Sequence, residues 1–161
     1  MKKYFFLISL IVIVVSCTNK QPLFKELSAS RTGIDFNNQI VETSDLNILN
    51  YEYLYNGGGV GIGDFNNDSL PDIYLTGNLV SNKLYLNKGN LKFEDVTTIA
   101  DVGGKGKWCK GVSVVDINND GWQDIYVCAA ILPDSNARRN LLYINQGLND
   151  QKIPVFKEMA A

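Results

Sequence analysis

The sequence predicts an all-β protein made of small four-stranded units in tandem. Three observations lead to this prediction. An acidic loop occurs twice, starting 52 residues apart at Asp64 and Asp116. Short runs rich in Val, Ile, Leu and Tyr flank each loop, and Asn, Asp, Gly and Pro separate these runs, as in antiparallel hairpins. A Phe-x-acid-apolar pattern recurs at Phe24, Phe93 and Phe156 and so marks the limits of two units.

Residues 1–16 predict a lipoprotein signal peptide. Two lysines open the chain, and residues 4–15 are apolar apart from one serine. Such a run is shorter than the roughly 20 residues that a membrane-spanning helix needs. The stretch Val14-Val15-Ser16-Cys17 resembles a bacterial lipobox, which implies cleavage before Cys17 and lipidation of its thiol. An ordinary signal peptide with a chance cysteine, or an uncleaved anchor, is the alternative.

Lipid on Cys17 predicts an outer membrane lipoprotein of the cell envelope, with residues 17–23 as a tether. Residues 18–21 contain no acid of the kind that directs some lipoproteins to the cell surface. The periplasmic and the external face therefore both stay open.

Composition argues against two classes of function. Without Lys2 and Lys3 the net charge falls from −2 to −4, and no basic patch stands out, so no nucleic acid partner is expected. The chain has no histidine, which removes the commonest general base and the usual partner of a nucleophilic Ser or Cys. We therefore expect that the protein is not an enzyme.

Each unit is predicted to be an antiparallel meander. Residues 24–58 form a leading strand at Phe24 and a loop laid across the fold, residues 59–97 the first unit, and residues 98–161 the second unit with the start of a third. The predicted strands are 60–63, 72–76, 83–87 and 92–96 in the first unit, and 112–115, 124–129, 141–145 and 155–159 in the second.

A four-stranded unit of this length, repeated in tandem, is typical of a β-propeller blade. The predicted fold is a partial β-propeller, because closure takes about four to eight blades. We expect the remaining blades to be missing from this chain and an apolar blade face to be exposed. Four tyrosines at matched positions are predicted to pack between neighbouring sheets: Tyr74, Tyr85, Tyr126 and Tyr143.

The two acidic loops, loop 1 (residues 64–72) and loop 2 (residues 116–124), are predicted to bind Ca²⁺. Oxygen side chains recur at loop positions 1, 3, 5 and 9, and the carbonyl at position 7 completes the set. Hard oxygens without His or Cys favour Ca²⁺ over zinc or copper. The alternative is plain turn chemistry without metal. The candidate ligands are Asp64, Asn66, Asp68, Leu70 and Asp72 in loop 1, and Asp116, Asn118, Asp120, Trp122 and Asp124 in loop 2.

The two loops differ at position 6, where a sharp bend needs a positive φ. Loop 1 has Ser69 and loop 2 has Gly121, so loop 1 is expected to bind more weakly. An EF-hand would need a glutamate at position 12, where this chain has Leu75 and Val127 within predicted strands. A helix-loop-helix site is therefore excluded.

The two cysteines beyond Cys17 flank loop 2. Cys109 and Cys128 could pair in an oxidising periplasm, but we favour two buried thiols. If the hairpin pairs Val115 with Ile125, Cys128 lies opposite Val112.

The residues around the loops carry a family resemblance. Residues 59–68 (GVGIGDFNND) and 111–121 (GVSVVDINNDG) resemble FG-GAP or VCBS-type repeats, the blades of integrin α-chain propellers. Residues 55–59, 82–87 and 138–143 are more similar to exported bacterial proteins that end in an ASPIC/UnbV domain. The resemblance covers roughly residues 24–161. It implies a calcium-stabilised propeller of seven blades, within the about four to eight usual for the fold.

The expected function is a calcium-binding module that recognises a protein or a glycan at the cell envelope. Two other readings stay open. The chain could be a truncated structural or non-functional product, or a hydrolase that uses paired carboxylates.

Overall fold

The computed structural model describes residues 22–160. The signal peptide, Cys17 and most of the tether lie outside the described residues. Within 22–160, no helix is long and apolar enough to cross a membrane. The elements are α1 (Ala29–Thr32), β1 (Val60–Gly63), β2 (Asp72–Leu75), β3 (Lys83–Asn87), β4 (Phe93–Asp95), α2 (Thr97–Ala100), β5 (Trp108–Val115), β6 (Asp124–Ala130), β7 (Leu141–Leu148) and β8 (Pro154–Glu158).

The strands form two antiparallel four-stranded sheets, each in chain order. The first sheet is β1-β2-β3-β4 and the second is β5-β6-β7-β8. Their registers match, since Ile73 pairs with Tyr85 in the first sheet and Ile125 with Tyr143 in the second. The predicted all-β fold with two propeller-like blades is confirmed. The predicted strand limits of the first sheet hold to within one residue, whereas β5 begins at Trp108 and carries a bulge after Cys109.

The core lies between the two sheets. Tyr74 and Leu84 of the first sheet pack in one buried cluster with Ile125 and Tyr143 of the second. Where β1 meets β5, a Cβ built on Gly61 would lie 2.9 Å from a methyl carbon of Val114, so only glycine permits this approach without a shift. The sheets are therefore stacked face to face, as neighbouring blades are.

Part of the leading segment covers the other face of the first sheet. The Tyr85 hydroxyl, in a side chain with no exposed area, donates to Asp35 Oδ1 at 2.9 Å. Asn38 Nδ2 donates to Asn78 Oδ1 at 2.7 Å, and Asn78 N donates back to Asn38 Oδ1 at 2.9 Å. These contacts hold Asp35 and Asn38 of the leading segment against the first sheet.

The predicted leading strand at Phe24 is wrong. Residues 22–28 form no strand, and Phe24 is 85% exposed. The Phe-x-acid pattern forms a strand at Phe93 and Phe156, where β3 and β7 offer a sheet edge to pair with. Phe24 has no such edge among the described residues, so the pattern alone does not make a strand.

Tyr74 and Tyr143 are buried between the two sheets as predicted, whereas Tyr85 is buried on the other face of the first sheet, under the leading segment. The prediction is wrong for Tyr126, which is 36% exposed. Tyr126 lies on the outward face of the second sheet together with Val115, which is 44% exposed, and Val155, which is 36% exposed. Nothing in residues 22–160 covers this face.

The predicted hairpin register around loop 2 is wrong by one residue. Val115 pairs with Asp124, and Val112 pairs with Val127, so Cys128 lies on the opposite face from the one expected. Both cysteines are free thiols, with Cys109 buried and Cys128 exposed. The preference for two buried thiols is thus right for Cys109 and wrong for Cys128, because alternate strand residues face opposite sides of a sheet.

Candidate metal centres in the two acidic loops

Each acidic loop joins the first two strands of its sheet. Loop 1 connects β1 to β2 and loop 2 connects β5 to β6. Position 9 of each loop, Asp72 or Asp124, is also the first residue of the following strand. All five candidate ligands of a loop therefore lie within one hairpin connection.

In loop 1 the side chains at positions 1, 3 and 5 gather around one turn. Asp68 N donates to Asp64 Oδ1 at 3.0 Å and to Asn66 Oδ1 at 3.2 Å. Ser69 N donates to the second oxygen of Asp64 at 2.8 Å. Leu70 N donates to Asp68 Oδ1 at 2.8 Å, and Asn66 Nδ2 donates to Asp68 Oδ2 at 2.9 Å.

Loop 2 repeats this pattern atom for atom. Asp120 N donates to Asp116 Oδ1 at 3.1 Å and to Asn118 Oδ1 at 3.2 Å. Gly121 N donates to Asp116 Oδ2 at 2.9 Å, and Trp122 N donates to Asp120 Oδ1 at 2.9 Å. Asn118 Nδ2 donates to Asp120 Oδ2 at 2.8 Å. The repeated sequence thus produces a repeated local structure.

The aspartate at position 9 has a structural role that the sequence reading missed. Asp72 is fully buried, and its two oxygens accept from Phe65 N at 3.0 Å and from Asn87 N at 2.8 Å. It therefore links the start of loop 1 to the end of β3. The available signal was an asparagine that recurs as the fifth residue of the third strand, Asn87 in β3 and Asn145 in β7.

Asp124 does the same in loop 2. Its oxygens accept from Ile117 N at 2.9 Å and from Asn145 N at 2.8 Å, and it too is fully buried. A carboxylate has about four acceptor positions on its two oxygens, so these bonds leave room for a cation. The ligand role of position 9 stays a prediction.

Loop 1 concentrates negative charge. The pKa of Asp72 is raised to about 6, mainly by burial and to a smaller extent by the carboxylates of Asp68 and Asp64, against the lowering effect of the N–H groups of Asn87 and Phe65. Both ion pairs among the described residues, Lys83–Asp95 and Lys88–Glu94, lie outside the loops. A bound cation would neutralise this charge.

The bend at position 6 has the expected backbone conformation in both loops. Ser69 has a φ of 68° and Gly121 a φ of 87°. A side chain at a positive φ costs free energy that glycine avoids. The strain predicted for loop 1 is therefore present at Ser69.

The donor set fits a hard cation in type and number, but its side chains do not yet surround one point. Within residues 22–160, no group of three or more His, Cys, Asp or Glu side chains is placed to hold a metal ion. The loop carboxylates instead accept hydrogen bonds from amides of their own turns. Cation binding would therefore require the side chains of these carboxylates to rotate toward a common point. Ca²⁺ binding stays a prediction.

The fold defines an all-β protein with two propeller-like blades. The family model of the FG-GAP-like repeat matches residues 64–127, which include both acidic loops and all of the first sheet from β2 onward. This match supports the FG-GAP repeat that the sequence resembles, a binding-type structural module rather than an enzyme family. No curated protein matches the chain.

Proposed function

We propose that this protein is a calcium-stabilised FG-GAP-repeat module that binds a protein or glycan at the cell envelope and is held there by lipid on Cys17. One observation carries the calcium proposal. Two loops 52 residues apart share oxygen donors at the same positions and the same backbone hydrogen bonds. Both loops place four oxygen side chains and one backbone carbonyl at the spacing with which a short loop can surround a hard cation.

In this proposal calcium stabilises the blades by binding only the folded loops. A ligand that binds only the native state adds RT ln(1 + [L]/Kd), which is about 2.7 kcal/mol at a hundredfold excess over Kd. Each loop lies between the first two strands of a blade, and its position 9 aspartate also accepts a hydrogen bond from the third strand. A filled loop would therefore hold three strands in place.

Thermal unfolding of the full chain in detergent tests the calcium proposal. We expect the midpoint to rise in Ca²⁺ relative to chelator and to change much less in Mg²⁺. Asp120→Asn should reduce the rise, whereas Asp150→Asn, an exposed acid outside the loops, should leave it unchanged. A cooperative transition with the same midpoint in Ca²⁺ and in chelator would reduce the loops to ordinary turns.

Mass spectrometry of the mature N-terminus tests the anchor. We expect cleavage before Cys17 and a lipid on that residue, and we expect Cys17→Ser to release the protein from the membrane fraction. An unmodified Cys17 in membrane-bound protein would contradict the lipoprotein assignment. The ligand is to be sought by binding assays against envelope proteins and glycans, with and without calcium.

A further inference from the structure

The two acidic loops are joined to each other by direct hydrogen bonds. Asp64 N, at position 1 of loop 1, donates to Gln123 Oε1 of loop 2 at 2.7 Å. Asn67 Nδ2 of loop 1 donates to Gly121 O of loop 2 at 3.2 Å. A movement of the bend of loop 2 therefore changes the position of the first residues of loop 1, and the reverse.

A third connection runs through the buried Asn145 of β7. Its Nδ2 donates to Phe65 O of loop 1 at 2.9 Å and to Gln123 O of loop 2 at 3.2 Å. Asn145 N also donates to the position 9 carboxylate of loop 2. One side chain thus contacts the backbone of both loops and is only 1% exposed.

The contact around Gln123 leaves little freedom. A Cβ built on Gly63 would overlap the Gln123 side-chain amide, so the strand before loop 1 lies directly against this side chain. Position 8 of loop 1, the equivalent of Gln123, is Pro71, which has no side-chain amide. The side-chain amide that makes this hydrogen bond therefore comes from loop 2, and loop 1 has no equivalent group.

We propose that the two loops bind cations with positive coupling, so that filling one loop raises the affinity of the other. This inference rests on the proposed function. Because the carboxylates are not gathered around one point, binding has to rearrange the side chains of a loop, and a loop in which this rearrangement has already occurred binds more tightly. The bonds from Gln123, Asn67 and Asn145 make part of that rearrangement common to both loops, so the second binding event costs less free energy.

Electrostatic repulsion acts in the opposite direction. Each loop has three carboxylates, which attract a cation in their own loop and, more weakly, a cation in the other loop. A cation bound in one loop cancels part of the negative charge of that loop, so the other loop attracts its cation less strongly. Salt screens this effect with a Debye length of about 8 Å at physiological ionic strength. Direct hydrogen bonds are not screened in this way, so we expect the positive coupling to prevail at physiological salt.

Terbium(III), used as a probe for the calcium sites, can test the coupling in the full chain in detergent. Trp122 lies in loop 2 and the other tryptophan, Trp108, is buried in β5, so terbium luminescence sensitised by Trp122 reports on loop 2. Asp68→Asn weakens loop 1. We expect this substitution to raise the terbium Kd of loop 2 about fivefold, within the usual range of allosteric coupling.

The matched controls are two asparagines at position 4 of the loops. Asn67 and Asn119 are both exposed and both have a positive φ, of 54° and 59°. Asn67 donates to loop 2, whereas Asn119 makes no side-chain hydrogen bond within residues 22–160. In Asn67→Ala or Gln123→Ala backgrounds, the effect of Asp68→Asn should fall below about twofold, and in Asn119→Ala it should stay about fivefold.

These background substitutions remove no charge, so the electrostatic term is the same in each. A coupling that persists unchanged in both Asn67→Ala and Gln123→Ala, or two independent sites in the unsubstituted chain, would overturn the coupling alone. Absence of terbium binding at both loops would instead overturn the proposed function, and the coupling with it.

Discussion

At the scale of single residues, the two loops differ most at the bend. Ser69 and Gly121 adopt the same left-handed conformation, which favours glycine. The hydrogen bonds around the bend are the same in both loops. Differences between the loops should therefore come from backbone strain at this position and from the contacts between the loops.

Exchange of these two residues should change stability in opposite directions. We expect Ser69→Gly to raise the free energy of unfolding and Gly121→Ser to lower it, each by about 1 kcal/mol, because only glycine avoids the clash of Cβ at positive φ. Denaturant unfolding in chelator measures the effect without cation binding. A loss of stability in Ser69→Gly would contradict the assignment of strain to this residue.

The same difference ranks the two loops as cation sites. Asp120→Ala should remove more of the calcium-dependent stabilisation than Asp68→Ala, because we expect the glycine at the bend of loop 2 to let this loop bind calcium more tightly. The measurement is the difference in unfolding free energy between calcium and chelator for each variant. Equal losses would contradict the ranking.

At the scale of elements, polar side chains reinforce the contacts between neighbouring strands and the helix that follows them. Lys83 Nζ of β3 donates to Asp95 Oδ2 of β4 at 2.5 Å. The other oxygen of Asp95 accepts from Thr97 N at 3.0 Å, at the start of α2. Asp95 thus joins two strands to the following helix.

The hydrogen bonds to Asp95 predict that the free energy of unfolding depends on pH. Burial pushes the pKa of Asp95 upward, but hydrogen bonds from Lys83 and Thr97 outweigh it and hold the pKa below its ordinary value. A depressed native pKa gives stability that is present above the unfolded pKa, about 3.9, and is lost as the pH falls below it.

We therefore expect Asp95→Asn to destabilise the protein at neutral pH by less than about 1 kcal/mol, because the pair is only partly buried. The difference from the unsubstituted chain should shrink below about pH 4. Denaturant unfolding in chelator across this pH range measures it. Glu94→Asn, which alters the exposed ion pair with Lys88, is the control and should show a smaller difference. A pH-independent difference for Asp95→Asn would contradict the ionic contribution.

At the scale of the whole molecule, the two outer faces of the stacked sheets are unlike. The leading segment contacts the first sheet through Asp35 and Asn38. The outward face of the second sheet exposes Tyr126, Val115 and Val155 within residues 22–160. Exposed apolar side chains that share one face of a sheet promote association.

A charge on this face should reduce self-association. We expect Val155→Lys to lower the concentration dependence of light scattering, because it places a charge in the apolar patch. Val41→Lys is the matched control, since Val41 is 58% exposed in the leading segment on a different part of the molecule. Equal scattering in the two variants would show that the face of the second sheet does not drive association.

The sequence by itself determined the repeat, the four-stranded units and the position of both loops. Repetition carries this information, because the same residues at the same spacing form the same hairpin, as Asp64 and Asp116 demonstrate. The strands of the first sheet were predictable to within one residue because turn residues bound each of them closely.

Only the tertiary structure decided which residues face a partner. Tyr74 and Tyr126 occupy the same position in the repeat, yet Tyr74 is buried and Tyr126 is exposed, because burial depends on what lies beyond the sheet. The double role of Asp72 and the link from Gln123 to Asp64 are likewise contacts between distant residues. Periodicity and spacing predict a strand or a turn, but they do not predict which distant residues pack against it in the folded protein.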